Sequence, residues 1–395
     1  MNESQLIHVA ILANPAGGGG ITRVVINLLK GMIQRGIKVD FVLDWAKGRP
    51  YLADIPQGVR VVDLNAKITG GTTSALKIVP PLVRYLRQEK PALLLSHLTI
   101  ANGVAVIAKA LAGVPVYLAL VEHLSWFENE KLSGKSPNKI SYLWRKLLYP
   151  RADAIVAVSQ GMARGLENYL GLKSGSVKVI YNPIIDENLL LKAQEKLVHP
   201  WLEKNQPPVF LAVGRLAAEK DFSTLIRAFA ELRKKPNSQS PIPSPQSLGK
   251  ARLIILGEGN LRKQLETEIE QLDLTAEVWL PGYVENPYAY MSRAAVFVLS
   301  SKSEGLPTVL IEAIACGSQV ISTDCPHGPR EILADGKYGQ LVPVGDVSAL
   351  AKAMELALLS PLEVEKLQQR TARSAQPSRD FSVEKSVSTY LQLIN

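Results

Sequence analysis

Apolar residues in this chain gather into short continuous runs rather than strict alternation. In the first half these runs are His8–Leu12, Val39–Leu43, Leu93–Leu95, Val116–Leu120, Ile155–Val158 and Val177–Ile180, with stretches of helical apolar spacing between them. Continuous apolar strands separated by amphipathic helices predict a parallel sheet covered on both faces. The pattern loosens after Asn182-Pro183, through Pro200 and Pro207-Pro208, which predicts a linker over 184–207. A second series follows: Val209–Val213, Leu253–Leu256, Val278–Leu280, Val296–Leu299, Val320–Ser322 and Leu341–Val342. The expected fold is α/β, with two doubly wound Rossmann-like domains over 1–183 and 208–378, followed by a terminal segment 379–395. Ligands of such sheets bind at the carboxyl ends of the strands, so a cleft between two facing domains is the expected site.

A length of 395 residues is too great for one ordinary core and agrees with two domains. Residues 235–247 hold four prolines and almost no apolar residues, and read as a mobile surface loop. The longest apolar stretch, Gly103–Val121, is broken by Lys109 and Pro115, and reads as helix, turn and strand rather than a membrane span. No signal peptide is indicated at the N-terminus. Two cysteines, Cys316 and Cys325, are too few to suggest a disulfide framework, which favours a reducing cytosol.

Charge changes the picture for one half only. Residues 1–195 carry 23 Lys plus Arg against 14 Asp plus Glu, whereas residues 196–395 carry 22 of each. The excess is densest over 131–151, where six basic residues and no acid interleave with Ile140, Tyr142, Leu143, Trp144, Leu147, Leu148 and Tyr149. This composition suits a basic amphipathic helix lying on an anionic membrane surface. No groove-reading motif accompanies it, so nucleic acid is not the expected partner.

The candidate chemistry centres on Glu304 and Glu312, in a segment that follows the run Val296–Leu299. Gly305 supplies a turn, Leu306 follows, and Pro307 suits the first position of a helix continuing through Thr308 and Ile314. Unpaired N–H groups at such a helix start attract phosphate. Eight helical steps put the two carboxylates roughly 12 Å apart along the axis, about the span of a nucleotide diphospho-sugar. Arg215 and Lys220 lie in one loop after the strand ending at Val213, and can meet one diphosphate as a fork and a point charge. In the first half, Gly17, Gly18 and Gly19 fall at a strand-to-helix turn where backbone can approach a phosphate or sugar. His123 follows a strand end and can hydrogen-bond a sugar. His327 and Arg330 lie in another loop that follows a strand.

Together, Val213-Gly214-Arg215-Leu216 with Glu219-Lys220-Asp221, Gly257-Glu258-Gly259, Gly282-Tyr283-Val284, and Glu304-Gly305-Leu306-Pro307 reaching Glu312 resemble the successive motifs of glycosyltransferase family 4, the retaining GT-B enzymes. The resemblance covers nearly the whole chain. It implies that Arg215 and Lys220 bind the donor diphosphate, Glu304 the sugar hydroxyls and Glu312 the ribose. It further implies that backbone near Tyr283 and Val284 holds the base, that His123 faces the sugar, and that the last helix crosses back to the first domain. The implied reaction moves a hexose or N-acetylhexosamine from a UDP-linked donor to a glycan or polyprenyl-linked acceptor, with retention and without a metal or other cofactor. The alternatives are an acceptor-independent nucleotide-sugar epimerase or hydrolase of the same fold and, behind it, a noncatalytic glycan-binding scaffold. The implied place is the cytoplasm, on the inner face of the membrane.

Overall fold

A computed structural model describes residues 7–15, 19–67, 74–123, 139–234, 250–359 and 379–394. Two compact units divide the chain: Met1–Ile184 together with Phe381–Asn395, and Ile185–Asp380.

The first unit is built on β1 (His8–Leu12), β2 (Lys38–Leu43), β3 (Arg60–Asp63), β4 (Leu93–His97), β5 (Tyr117–Glu122), β6 (Ala154–Ala157) and β7 (Val177–Val179). They pair in parallel in the order β3-β2-β1-β4-β5-β6-β7. The helices between them include α1 (Gly20–Gln34), α2 (Val79–Glu89), α3 (Thr99–Ala112), α4 (Lys139–Leu148) and α5 (Gln160–Leu170). The residues of β1, β2, β4, β5 and β6 are mostly buried, which is why these strands read as largely apolar runs, whereas β3 at the sheet edge is exposed or half-buried. The stretch Gly103–Val121 divides as expected, with Gly113 closing α3 in the left-handed conformation (φ 64°) before β5.

The second unit carries α6 (Glu187–Gln194), then β8 (Val209–Val213), α7 (Phe222–Lys234), β9 (Arg252–Leu256), α8 (Arg262–Gln271), β10 (Val278–Gly282), α9 (Tyr288–Met291), β11 (Val296–Leu299), α10 (Thr308–Ala315), β12 (Gln319–Thr323), α11 (Pro329–Ile332), β13 (Gln340–Val342) and α12 (Val347–Leu359). Its parallel sheet has the order β10-β9-β8-β11-β12-β13. The core over it is made by Phe210, Phe229, Ile255, Val298 and Met354 with their neighbours.

The terminal helix α13 (Val383–Leu391) belongs to the first unit, where Val383 and Val387 close on Gly31 of α1. Part of the segment expected to be a loose linker is ordered. Asp186 caps α6 by accepting from the Leu189 N–H at 2.8 Å, and the Asn286 amide donates to the Lys192 carbonyl at 2.9 Å, so this helix is held by the second unit. Beyond it, His199 and Trp201 pack around Trp279 of β10, with Arg252 over the Trp201 ring. The proline-rich segment 235–247 lies outside the described residues. Among the described residues no helix is long and apolar enough to cross a membrane.

A buried polar network closes the end of β4 and β5. His97 Nδ1 and His123 Nε2 are 2.8 Å apart with their rings stacked. Beside them Glu122 accepts hydrogen bonds from Tyr149, Asn102 and Thr99. Burial pushes the His123 pKa down to about 4, and pushes His97 well below the ordinary histidine value. Burial likewise raises the Glu122 carboxyl.

Two outcomes follow for stability. Gly257 has φ 141°, and a Cβ there would collide with the Gly214 carbonyl oxygen, so Gly257→Ala is expected to cost about 2 kcal/mol or more by calorimetry; an unchanged melting temperature would contradict this packing. An unfolded histidine binds its proton near pH 6.5 while buried His123 does so near 4, so in between the unfolded chain holds more protons and stability falls as pH falls. Urea midpoints should therefore decline between about pH 6.5 and 4, with a shallower slope in His123→Asn; equal slopes in the two proteins would contradict a neutral buried ring.

Candidate functional site

In the second sheet the chain leaves β8 toward β9 and β10, then returns to lay β11 on the other side of β8. The β8/β11 boundary is thus the topological switch point, the place where open parallel sheets generally bind their ligands. Arg215, Lys220 and Glu304 all lie in the loops after these two strands.

Those loops are stitched together. The Lys302 N–H donates to the Glu219 carbonyl at 2.8 Å, and Ser300 Oγ donates to the Lys220 carbonyl at 2.8 Å. Lys302 Nζ lies 3.1 Å from Asp221 Oδ1. Asp221 itself sits in the left-handed region (φ 48°) and accepts from Thr224 Oγ1 in the first turn of α7. At the centre Lys220 Nζ donates to Glu304 Oε1 at 2.6 Å, and Ser301 Oγ donates to the same oxygen at 2.7 Å. The Lys220 and Glu304 side chains are only 18% and 11% exposed. Removing one member of a largely buried pair strands the other, so this contact fixes the orientation of Glu304. Ser301 is itself held, because Thr323 Oγ1 of β12 donates to its carbonyl at 2.6 Å.

Arg215 is placed differently. Its guanidinium is 2.5 Å from Glu219 and its side chain is 72% exposed. Exposed pairs of this kind contribute about 0.2–1 kcal/mol. Arg215 and Lys220 therefore each have a carboxylate partner, one weakly held and one firmly held.

The loop after β12 reaches the same place. The Pro326 carbonyl faces the Glu304 N–H at 3.5 Å. His327 has φ 66°, and a Cβ on Gly328 (φ 98°) would meet Pro307 Cδ at 2.5 Å, so this turn rests on Leu306 and Pro307. Pro307 occupies the cap position and helix α10 begins at Thr308, one residue later than expected. Arg330 is paired with Asp324 and Asp335, which raises its pKa and neutralises the charge expected of it. Glu312 is fully buried in α10, so of the two acids only Glu304 reaches the loop surface. Tyr283 is 67% exposed beyond β10, and Val284 is half-buried beside it. Both thiols are free, and burial pushes Cys316 and Cys325 up to about 12, leaving them protonated.

In the first unit, Gly17 and Gly18 lie outside the described residues, while Gly19 is exposed and caps α1. His123 is 5% exposed and engaged with His97, a histidine that strand-end reasoning did not single out. Of the basic segment, 131–138 lies outside the described residues. Over α4, Arg145 turns inward toward buried Glu122, whereas Leu143 and Leu147 are 53% and 51% exposed. Arg145 is thus not one of the surface cations expected there. His8, Asp40 and Glu89 come together at the other end of the first sheet, a cluster their sequence separation conceals. Arg60 bonds both carboxylates at 2.9 Å and Tyr85 donates to Asp40, so the cluster is an ion-pair hub.

Comparison with known proteins agrees with this architecture. Residues 18–188 match the Glycosyltransferase Family 4 model and residues 193–376 match Glycosyl transferases group 1. An N-acetylgalactosaminyltransferase of Campylobacter jejuni that acts on N-acetylgalactosamine-N,N'-diacetylbacillosaminyl-diphospho-undecaprenol is 34% identical over 212 residues; the match covers 54% of this chain and about half, 52%, of that relative. The lipopolysaccharide core biosynthesis glycosyltransferase LpsE of Rhizobium meliloti is 26% identical over 95% of this chain and 96% of its own. Among solved structures, Anabaena HepE in complex with UDP superposes with a TM-score of 0.75 at 20% identity, over 98% of each chain. With two doubly wound parallel sheets and family models that together span most of its length, the chain belongs to the GT-B glycosyltransferases of family 4.

Proposed function

We propose that this protein is a retaining, metal-independent glycosyltransferase that moves a hexose or N-acetylhexosamine from a UDP-sugar to a glycan or polyprenyl-diphosphate-linked acceptor in cell-surface glycan synthesis. The observation that carries the proposal is the Lys220–Glu304 pair at the β8/β11 switch point, with Arg215 at its rim. A carboxylate held by Lys220 and Ser301 is a hydrogen-bond acceptor fixed by the loop, suited to the hydroxyls of a hexose. Arg215 and the helix start at Thr308 supply positive charge for the diphosphate. Departure of the sugar leaves negative charge on that diphosphate, which Arg215 and the helix start stabilise without a metal. The UDP complex of HepE and the undecaprenol-linked substrate of the Campylobacter relative support the choice of donor and acceptor class. Glu312, sealed in its helix, is left out of the contact set.

The cytosolic face of a membrane is the proposed place of work. Helix α4 presents Leu143 and Leu147, one turn apart, beside exposed Lys146 and with exposed Arg151 following. Apolar side chains flanked by cations suit the headgroup layer of an anionic bilayer.

The direct test is UDP release from UDP-N-acetylhexosamines and UDP-hexoses with and without a polyprenyl-diphosphate glycan; release that needs no acceptor would point to a hydrolase or epimerase. Arg215→Ala is expected to lower kcat by about 10²-fold, because it acts on charge that develops during transfer. Ser301→Ala loses a hydrogen bond to a charged group and should raise the donor KM about tenfold, leaving UDP affinity unchanged because UDP has no hexose; equal weakening of UDP would remove Glu304 from the sugar. For the membrane, Leu143→Glu with Leu147→Glu should abolish sedimentation with phosphatidylglycerol vesicles, and unchanged binding would exclude this face.

A further inference from the structure

Arg215 and Lys220 stand five positions apart in one loop, yet they hold their counter-ions in different ways. Lys220 is largely enclosed with Glu304, whereas the exposed Arg215 guanidinium meets Glu219 within its own turn. An enclosed pair is not readily exchanged; an exposed one is. The backbone of Glu219 is also pinned, since its carbonyl receives the Lys302 N–H. Its carboxylate can swing away while the turn stays in place. Lys302 is occupied by Asp221, so no other lysine of this loop pair is shown competing for the Glu219 carboxylate.

Resting on the reading of this loop pair as the diphosphate site, we infer that Glu219 is a specificity-determining residue: its carboxylate is a resident stand-in for phosphate on Arg215, which a ligand must displace. A nucleoside diphosphate presents a terminal phosphate that can take the guanidinium from Glu219. A monophosphate ending short of Arg215 triggers no exchange. When the diphosphate product departs, Glu219 takes Arg215 back, so the same carboxylate lowers the affinity for product and favours its release.

The experiment is calorimetric titration of UDP and UMP into wild type, Glu219→Gln, Arg215→Ala and the double variant. Glutamine keeps the shape and removes the charge. Glu219→Gln should tighten UDP about three- to fivefold, the equivalent of one exposed pair, and leave UMP unchanged. In the Arg215→Ala background the same substitution should do nothing to UDP. A weaker or unchanged UDP affinity in Glu219→Gln overturns the inference, as does equal tightening of UMP or persistence of the gain without Arg215. If wild type binds UDP and Arg215→Ala leaves that binding intact, the diphosphate reading itself fails and the role of Glu219 fails with it; UDP binding that depends on Arg215 but ignores Glu219 refutes the inference alone.

Discussion

The ion pair between Lys220 and Glu304 is the constraint around which the candidate site is organised. It joins loops that follow two adjacent strands but stand 84 residues apart in sequence. Because both groups are mostly withdrawn from water, neither can lose its partner without leaving a charge stranded. Every neighbouring contact keeps that pair in register: Ser301 shares the Glu304 oxygen, Ser300 and Lys302 bind the backbone beside Lys220, and Thr323 steadies Ser301 from the next strand. The consequence is an enclosed carboxylate beside an exposed guanidinium, the first matching the sugar and the second the diphosphate of the proposed function.

This division explains why the two acids of the motif separate in the fold. Glu304 lies in the loop before α10 and keeps some exposure, while Glu312 is fully buried within the helix, where Leu310, Ile311, Ala313 and Ile314 are buried too. A spacing argument treats both as ends of a ruler. Burial separates them, because Leu310–Ile314 are buried all round this short helix, Glu312 included. The same logic reassigns Arg145, which a charge count places on the surface and the fold sends inward toward Glu122.

Much of the architecture was legible in the sequence because parallel strands covered on both sides must be apolar throughout. The strand missed was β3, whose four residues Arg60-Val61-Val62-Asp63 lie at a sheet edge and are only partly buried, so no apolar run announces them. Helix α6 was hidden by the prolines that follow it, although Asp186 three residues before Leu189 is a capping signal. That Arg215, Lys220 and Glu304 follow β8 and β11 was legible from the apolar runs before them, but only their combination and the motif order pointed to a site. Their partners were less legible: Ser301 looks like one serine among several, His97 finds His123 only across the sheet, and His8, Asp40, Arg60 and Glu89 meet only when four separate elements fold.

Hydrogen exchange with a bound UDP-sugar puts the central claim most directly to the test, because it reads where the ligand sits without assuming a reaction. Slowed exchange should concentrate in residues 214–221 and 300–308, the two loops that the Lys220–Glu304 pair joins. Ligand binding that leaves both segments unprotected would contradict the assignment of the donor to the β8/β11 switch point.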